Sequence, residues 1–123
     1  MKKFLTLALI LILFLVSSFS LGTSPSYAYS QSDLDRLLNT GECRNCDLTG
    51  ADLSDANLMK ADLMGADLSG ANFRGANLNG ANLMGVYFEG SSLLRADLEG
   101  ADMRGAHIGK KRVYRLKINW KAN

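Results

Sequence analysis

With 123 residues, the chain has room for one small domain. It holds 14 Lys and Arg against 12 Asp and Glu, with two Cys and one His. A multi-histidine metal centre is therefore excluded, and acid–base chemistry has little to draw on.

Lys2 and Lys3 precede an apolar stretch from Phe4 to Val16 broken only by Thr6, and a short polar region ends in Ser26-Tyr27-Ala28. This order predicts a secretory signal peptide over residues 1–28, with cleavage after Ala28. The apolar stretch is short of the roughly 20 residues that span a bilayer as a helix. An uncleaved anchor extended through Ser17 to Leu21 is the less favoured alternative. No Cys follows the apolar stretch directly, which argues against a lipoprotein.

Residues 29–41 read as a linker and a short capping helix. Ser32 is the expected N-cap, Asp33 and Asp35 suit the positive end of the helix, and Gly41 supplies the stop. Leu34, Leu37 and Leu38 are expected on one face. About two turns are too short to stand alone, so that face should cover the open start of whatever follows.

Cys43-Arg44-Asn45-Cys46 comes next. A redox Cys-x-x-Cys needs a helix beginning at the motif to lower the thiol pKa, and here the helix precedes it. Two thiols do not complete a four-ligand zinc site, and His107 is far along the chain. A disulfide or packed thiols at a structural corner is the favoured reading for an exported chain.

From Cys46 to Lys110 the sequence falls into thirteen pentads, such as Ala51-Asp52-Leu53-Ser54-Asp55 and Ala61-Asp62-Leu63-Met64-Gly65. Ten begin with Ala, and every third position is apolar. In an α-helix, first and third positions would lie about 200° apart, so no apolar stripe could form. In an extended segment they share a face. Gly stands at the fifth position in nine pentads, where it permits a positive-φ corner. Each pentad is thus a very short strand plus a corner, and only stacked turns build a core.

These residues resemble the pentapeptide-repeat family, whose pattern is Ala-(Asp/Asn)-Leu-x-x with a central Leu or Phe. The resemblance implies an all-β, right-handed quadrilateral β-solenoid over residues 42–110, of about three coils with the helix as N-terminal cap. Residues twenty apart would then stack. Leu48, Leu68, Phe88 and Ile108 make one interior column, and Leu53, Phe73 and Leu93 the next. Leu58, Leu78 and Leu98 form the third, and Cys43, Leu63, Leu83 and Met103 the fourth. The helix and cysteine pair resemble the entry to repeat domains common in cyanobacterial proteins, which implies a periplasmic or thylakoid-lumen setting.

Second positions carry Asp or Asn in ten pentads. Some family members imitate DNA with such ladders. Export, a short rod and the many neutral Asn residues favour surface solvation and bonding to nearby backbone instead. Asp67, Tyr87 and His107 share one outer column and read as surface residues. The fourth position should be exposed, yet Met59, Met64, Met84 and Leu94 occupy it. Met64 and Met84 are twenty apart with Arg104 above them, and Asp62, Asn82 and Asp102 run alongside. These residues form a candidate interaction surface, since Met suits adaptable contacts.

Beyond Lys110 the repeat stops, and residues 111–123 are expected to be a basic cap or tail. Tyr114, Leu116, Ile118 and Trp120 alternate as in a strand. Residues 29–109 carry six basic and twelve acidic side chains, whereas residues 110–123 carry Lys110, Lys111, Arg112, Arg115, Lys117 and Lys121 and no acid. Those cations are candidate contacts for an anionic partner; nucleic acid is not expected for an exported chain. The leading functional reading is an exported, non-enzymatic structural or protein-interaction module with no cofactor and no metal site. A peripheral membrane or acidic-partner binder acting through the tail is the alternative. A thiol-redox protein using Cys43 and Cys46 is the second alternative.

Overall fold

Five residues per repeat and a corner at the fifth leave little chain for regular strand, and the architecture follows from that limit. The computed structural model describes residues 29–109. The expected signal peptide and residues 110–123 lie outside them.

Ten parallel bridges join second-position residues that are twenty apart, from Glu42–Asp62 to Tyr87–His107. This register defines a parallel β-solenoid in which four pentads separate stacked rungs. Each expected short strand is reduced to a single bridging residue. The pentad leaves no room for more: its first amide closes the turn and its fourth goes to a side chain, as Ala76 donates to Phe73 and Asn79 to Asn77 Oδ1. At the corner the backbone is left-handed in every case, with φ of 55 to 62° at Asn45, Asp55, Lys60 and Arg95 as well as at the glycines. Gly65 and Gly75 are the two corners where a side chain would displace a neighbouring one. A Cβ there would collide with the Asn45 or Asp55 side chain one coil below.

First and third positions point inward. Leu48, Leu63, Leu68, Phe73, Leu78 and Leu83 are fully buried, and Ala51, Ala66, Ala71, Ala76 and Ala81 fill the inner corners. Phe73 meets Phe88 of the neighbouring column edge to face, with ring centroids 5.8 Å apart, a favoured aromatic geometry. Two expected core residues differ. Met103 is only partly buried and Ile108 is 41% exposed, whereas Leu93 and Leu98 in the same last coil are buried.

Helix α1 spans Gln31–Thr40. Its N-cap is Ser30, not Ser32, and the Ser30 hydroxyl accepts from the Asp33 amide. Ser32 stands two residues inside, where its own hydroxyl meets that of Ser30. Gly41 ends the helix at φ 72° and donates to the Leu37 carbonyl. Leu34 and Leu37 join the core, whereas Leu38 is 56% exposed. Leu38 lies about 100° around the axis from Leu37 and so leaves the narrow face that meets the stack.

The outward Asp and Asn residues have a structural task. In ten pentads the second-position side chain accepts a hydrogen bond from the amide two residues on, as in Ser54 to Asp52 and Asn79 to Asn77. Asn77→Ala should cost about 1 kcal/mol, a net hydrogen bond, while Asn77→Asp should be tolerated. Denaturant unfolding of the two variants checks this. Phe73→Asp would bury a carboxylate with no partner and should abolish the cooperative thermal transition; a normal transition would contradict the stacking.

Candidate interaction surface

With the interior filled, chemistry is confined to second and fourth positions and to the two ends. The twenty-residue register places Arg44, Met64, Met84 and Arg104 in one outer column, beside the column of Glu42, Asp62, Asn82 and Asp102. Sequence reasoning found the upper three of the first column and missed Arg44, which was absorbed in the cysteine motif.

Both arginines are fastened. Arg44 Nε donates to Asp62 Oδ2 at 2.6 Å. Arg104 Nη2 donates to Asp102 Oδ2 at 2.6 Å, its Nε to Oδ1 at 2.9 Å, and its Nη2 also reaches Met84 Sδ at 3.6 Å. The Arg104 hydrogen bonds hold the Asp102 carboxyl below its ordinary range, and the same contacts raise Arg104. Asn82 Nδ2 donates to Asp62 Oδ1 at 3.1 Å, linking the acidic rungs. The result is an apolar pair, Met64 at 40% exposure and, one coil above it, Met84 half-buried, held between two guanidinium groups whose charge is largely matched locally.

Met59 is exposed and lies one pentad earlier in the chain, on the adjoining side. Leu94 is exposed too, but its column is Ser54 and Arg74, so it does not join the methionine strip. A cleft of about 280 Å³ lined by Arg36, Glu42, Arg44 and Asp62 opens at the helix end of the strip. Tyr87 and His107 stack in parallel with ring centroids 4.6 Å apart on a separate face. Lys110, Lys111, Arg112, Arg115, Lys117 and Lys121 lie outside the described residues.

Cys43 and Cys46 are joined by a disulfide, with Cα atoms 5.3 Å apart. Both are buried beneath α1. Cys43 Sγ lies 3.1 Å from the Asp33 carbonyl oxygen, and Arg36 Nη2 lies 2.7 Å from Cys46 Sγ. The Asp33 carboxylate is within 4.8 Å of both sulfurs, but bridged sulfurs offer no thiolate to a metal. Asp33 instead accepts from the Asp47 amide, and the Ser30 amide donates to the Asp47 carbonyl. The bridge, the helix and the first rung are thus one unit. Among the described residues, no helix is long and apolar enough to cross a membrane.

A family model for pentapeptide repeats matches residues 42–80 and 81–109, in 8 copies. No curated protein sequence matches. Among solved structures, the chain is similar to a pentapeptide repeat protein from the Arabidopsis thaliana thylakoid lumen. Identity is 30% over 72% of this chain and 64% of that one, with a TM-score of 0.46. It is also similar to HetL, a protein involved in heterocyst differentiation regulation in the cyanobacterium Nostoc. There identity is 34% over 54% of this chain and 38% of that one, at a TM-score of 0.35. A third is QnrB1, a plasmid-mediated fluoroquinolone resistance protein, at 26% identity over 53% and 42% of the two chains and a TM-score of 0.38. The chain spans less than two thirds of the length of each.

A four-residue disulfide loop constrains the unfolded chain modestly. Reduction with dithiothreitol should lower the unfolding free energy by about 2 kcal/mol on the chain-entropy relation. Denaturant titration of oxidised and reduced protein checks this, and coincident curves would contradict a stabilising bridge.

Proposed function

We propose, from the premise that this chain belongs to the pentapeptide-repeat family, that it is an exported, non-enzymatic module that docks a protein partner on one side of its rod. The rod is read as a right-handed, four-sided solenoid of about three coils, working in a periplasm or thylakoid lumen.

One observation carries this reading: the Met64–Met84 pair, exposed at Met64 and half-exposed at Met84, at a position whose backbone duties are already met, between Arg44–Asp62 and Arg104–Asp102. The core does not need apolar side chains there, and an adaptable apolar strip edged by fixed charges suits a protein surface. Support for export comes from the character of residues 1–28 and from Tyr29, the next residue, which packs against the core.

Photo-crosslinkers placed at Met64 and at Ser54, on the side away from the strip, test the surface in the native compartment. A discrete protein adduct from position 64 and none from position 54 is expected. Equal labelling from both, or none from either, would defeat the reading. N-terminal sequencing of the recovered protein should begin at Tyr29.

A further inference from the structure

The Cys43–Cys46 bridge closes a turn that the other pentads close without one. In those, the first-position amide donates to the carbonyl three residues back, as Ala51 does to Leu48 and Ala76 to Phe73, both at 3.0 Å. Cys46 donates to Cys43 in the same way, at 3.4 Å. Corner geometry alone therefore does not call for a covalent link.

The surroundings of the two sulfurs differ. Cys43 Sγ lies 3.1 Å from the Asp33 carbonyl oxygen, an acceptor that suits a thiol S–H, whereas a bridged sulfur has no proton to give it. Cys46 Sγ lies 2.7 Å from Arg36 Nη2, a charged donor that suits a thiolate. The same nitrogen is 3.9 Å from Cys43 Sγ. A cation able to lower a thiol pKa thus comes from inside the preceding helix, not from a helix beginning at the motif. The Asp33 carboxylate, within 4.8 Å of both sulfurs, opposes a thiolate. Its charge is shared by Arg36 at 3.2 Å and by the Asp47 amide at 3.0 Å. Glu42, Arg44 and Asp62 line the cleft around Arg36. Arg44 is engaged by Asp62, which leaves Glu42 as the remaining acid facing it.

We propose that Cys43–Cys46 is a redox-active pair, reduced by a dithiol, whose reduced form stays under α1 as a Cys43 thiol on the Asp33 carbonyl and a Cys46 thiolate on Arg36. A thiolate of the reductant attacks one sulfur, and the S–S bond breaks with its electron pair going to the other. The second thiol of the reductant then resolves the mixed disulfide, so the reductant leaves as its own disulfide. It loses two electrons and two protons; one proton stays on Cys43 and one goes to solvent. Both cysteines are at most 2% exposed, so exchange waits for α1 to lift. Arg36 acts once α1 has closed again, on the equilibrium and not on the attack, and is a positioning residue. The pair is a site acted on by a reductant, not a catalyst, and is independent of docking at the methionine strip.

The proton count sets the pH dependence. Two ordinary thiols both stay protonated below about pH 8, so their exchange with dithiothreitol does not vary with pH there. With Cys46 held as thiolate, each reduction releases one proton. The equilibrium then moves towards the reduced protein as pH rises, by up to about tenfold per unit. This is the direction for a depressed pKa: the Arg36–thiolate contact is present above the Cys46 pKa and lost below it.

Equilibration of the full chain in dithiothreitol redox buffers between about pH 6 and 8 tests this, with the reduced fraction read by alkylation and mass. The unsubstituted protein should show the rise. Arg36→Gln, at a side chain 51% exposed, should flatten it and shift the equilibrium towards the bridge roughly tenfold at the upper pH. In reduced protein, thiolate absorbance should place Cys46, measured in Cys43→Ser, about one unit or more below Cys43, measured in Cys46→Ser. The Asp47 amide, held by Asp33, should stay protected from hydrogen exchange after reduction. Any of four results overturns the redox pair: a flat profile, a slope that Arg36→Gln leaves unchanged, equal titration of the two cysteines, or an Asp47 amide that exchanges freely once the bridge is reduced.

Discussion

Four of the five amides in a pentad find main-chain carbonyls, and the remaining one depends on a single side-chain oxygen. In the pentad from 76 to 80, Ala76 donates to Phe73 in the turn and Asn77 to Ala56 in the coil below. Leu78 and Gly80 donate to Asp97 and Glu99 in the coil above. The amide of Asn79 is satisfied by Asn77 Oδ1. Buried or half-buried amides without partners are costly, so the repeat favours residues that supply this oxygen within reach, as ten of its thirteen pentads do. Asp and Asn do so equally, which means the fold requires the acceptor and not the charge. The acidic surface is in that sense a by-product of local bonding.

That constraint decides where recognition can sit. First and third positions are consumed by the core, the second by its amide, and the fifth by a left-handed corner. Only the fourth is unconstrained, and it is there that Ser, Thr, Arg, Asn, Glu, Met and Leu alternate without pattern. Two methionines stacked in one column with an arginine at each end are therefore not demanded by the backbone. The exceptions at second positions tell a related story. Tyr87 and His107 give up the side-chain acceptor and stack on each other instead, so the upper part of the rod is less firmly specified than the middle.

Much of this was legible in the sequence, because a period of five excludes a helix and the apolar positions name the columns. The cysteine corner and the helix stop at Gly41 were also readable, since each has a local signal. What escaped was set by contacts between coils. The choice of Ser30 over Ser32 as cap depends on the Ser30 amide bonding to Asp47, seventeen residues away. The exposure of Leu38 depends on how narrow a face the stack presents to α1. Arg44 was hidden because its meaning lies in Asp62, a whole coil later, and in the shared column with Arg104. The single-residue bridges follow from an amide-by-amide account that no residue pattern displays.

The two ends of the rod are built on different principles, and this shapes how it can be used. At the start, α1 is fixed by the Asp33–Asp47 contacts, by Leu34 and Leu37 in the core, and by a bridge buried under it with Arg36 over Cys46. A helix cannot accept another rung, so stacking stops there. At the far end the described rungs stop with Ile108 open and the amides of the last coil pointing onward. An uncovered end of this kind is a template for any extended chain. Whatever occupies it determines whether the rod stays a single unit.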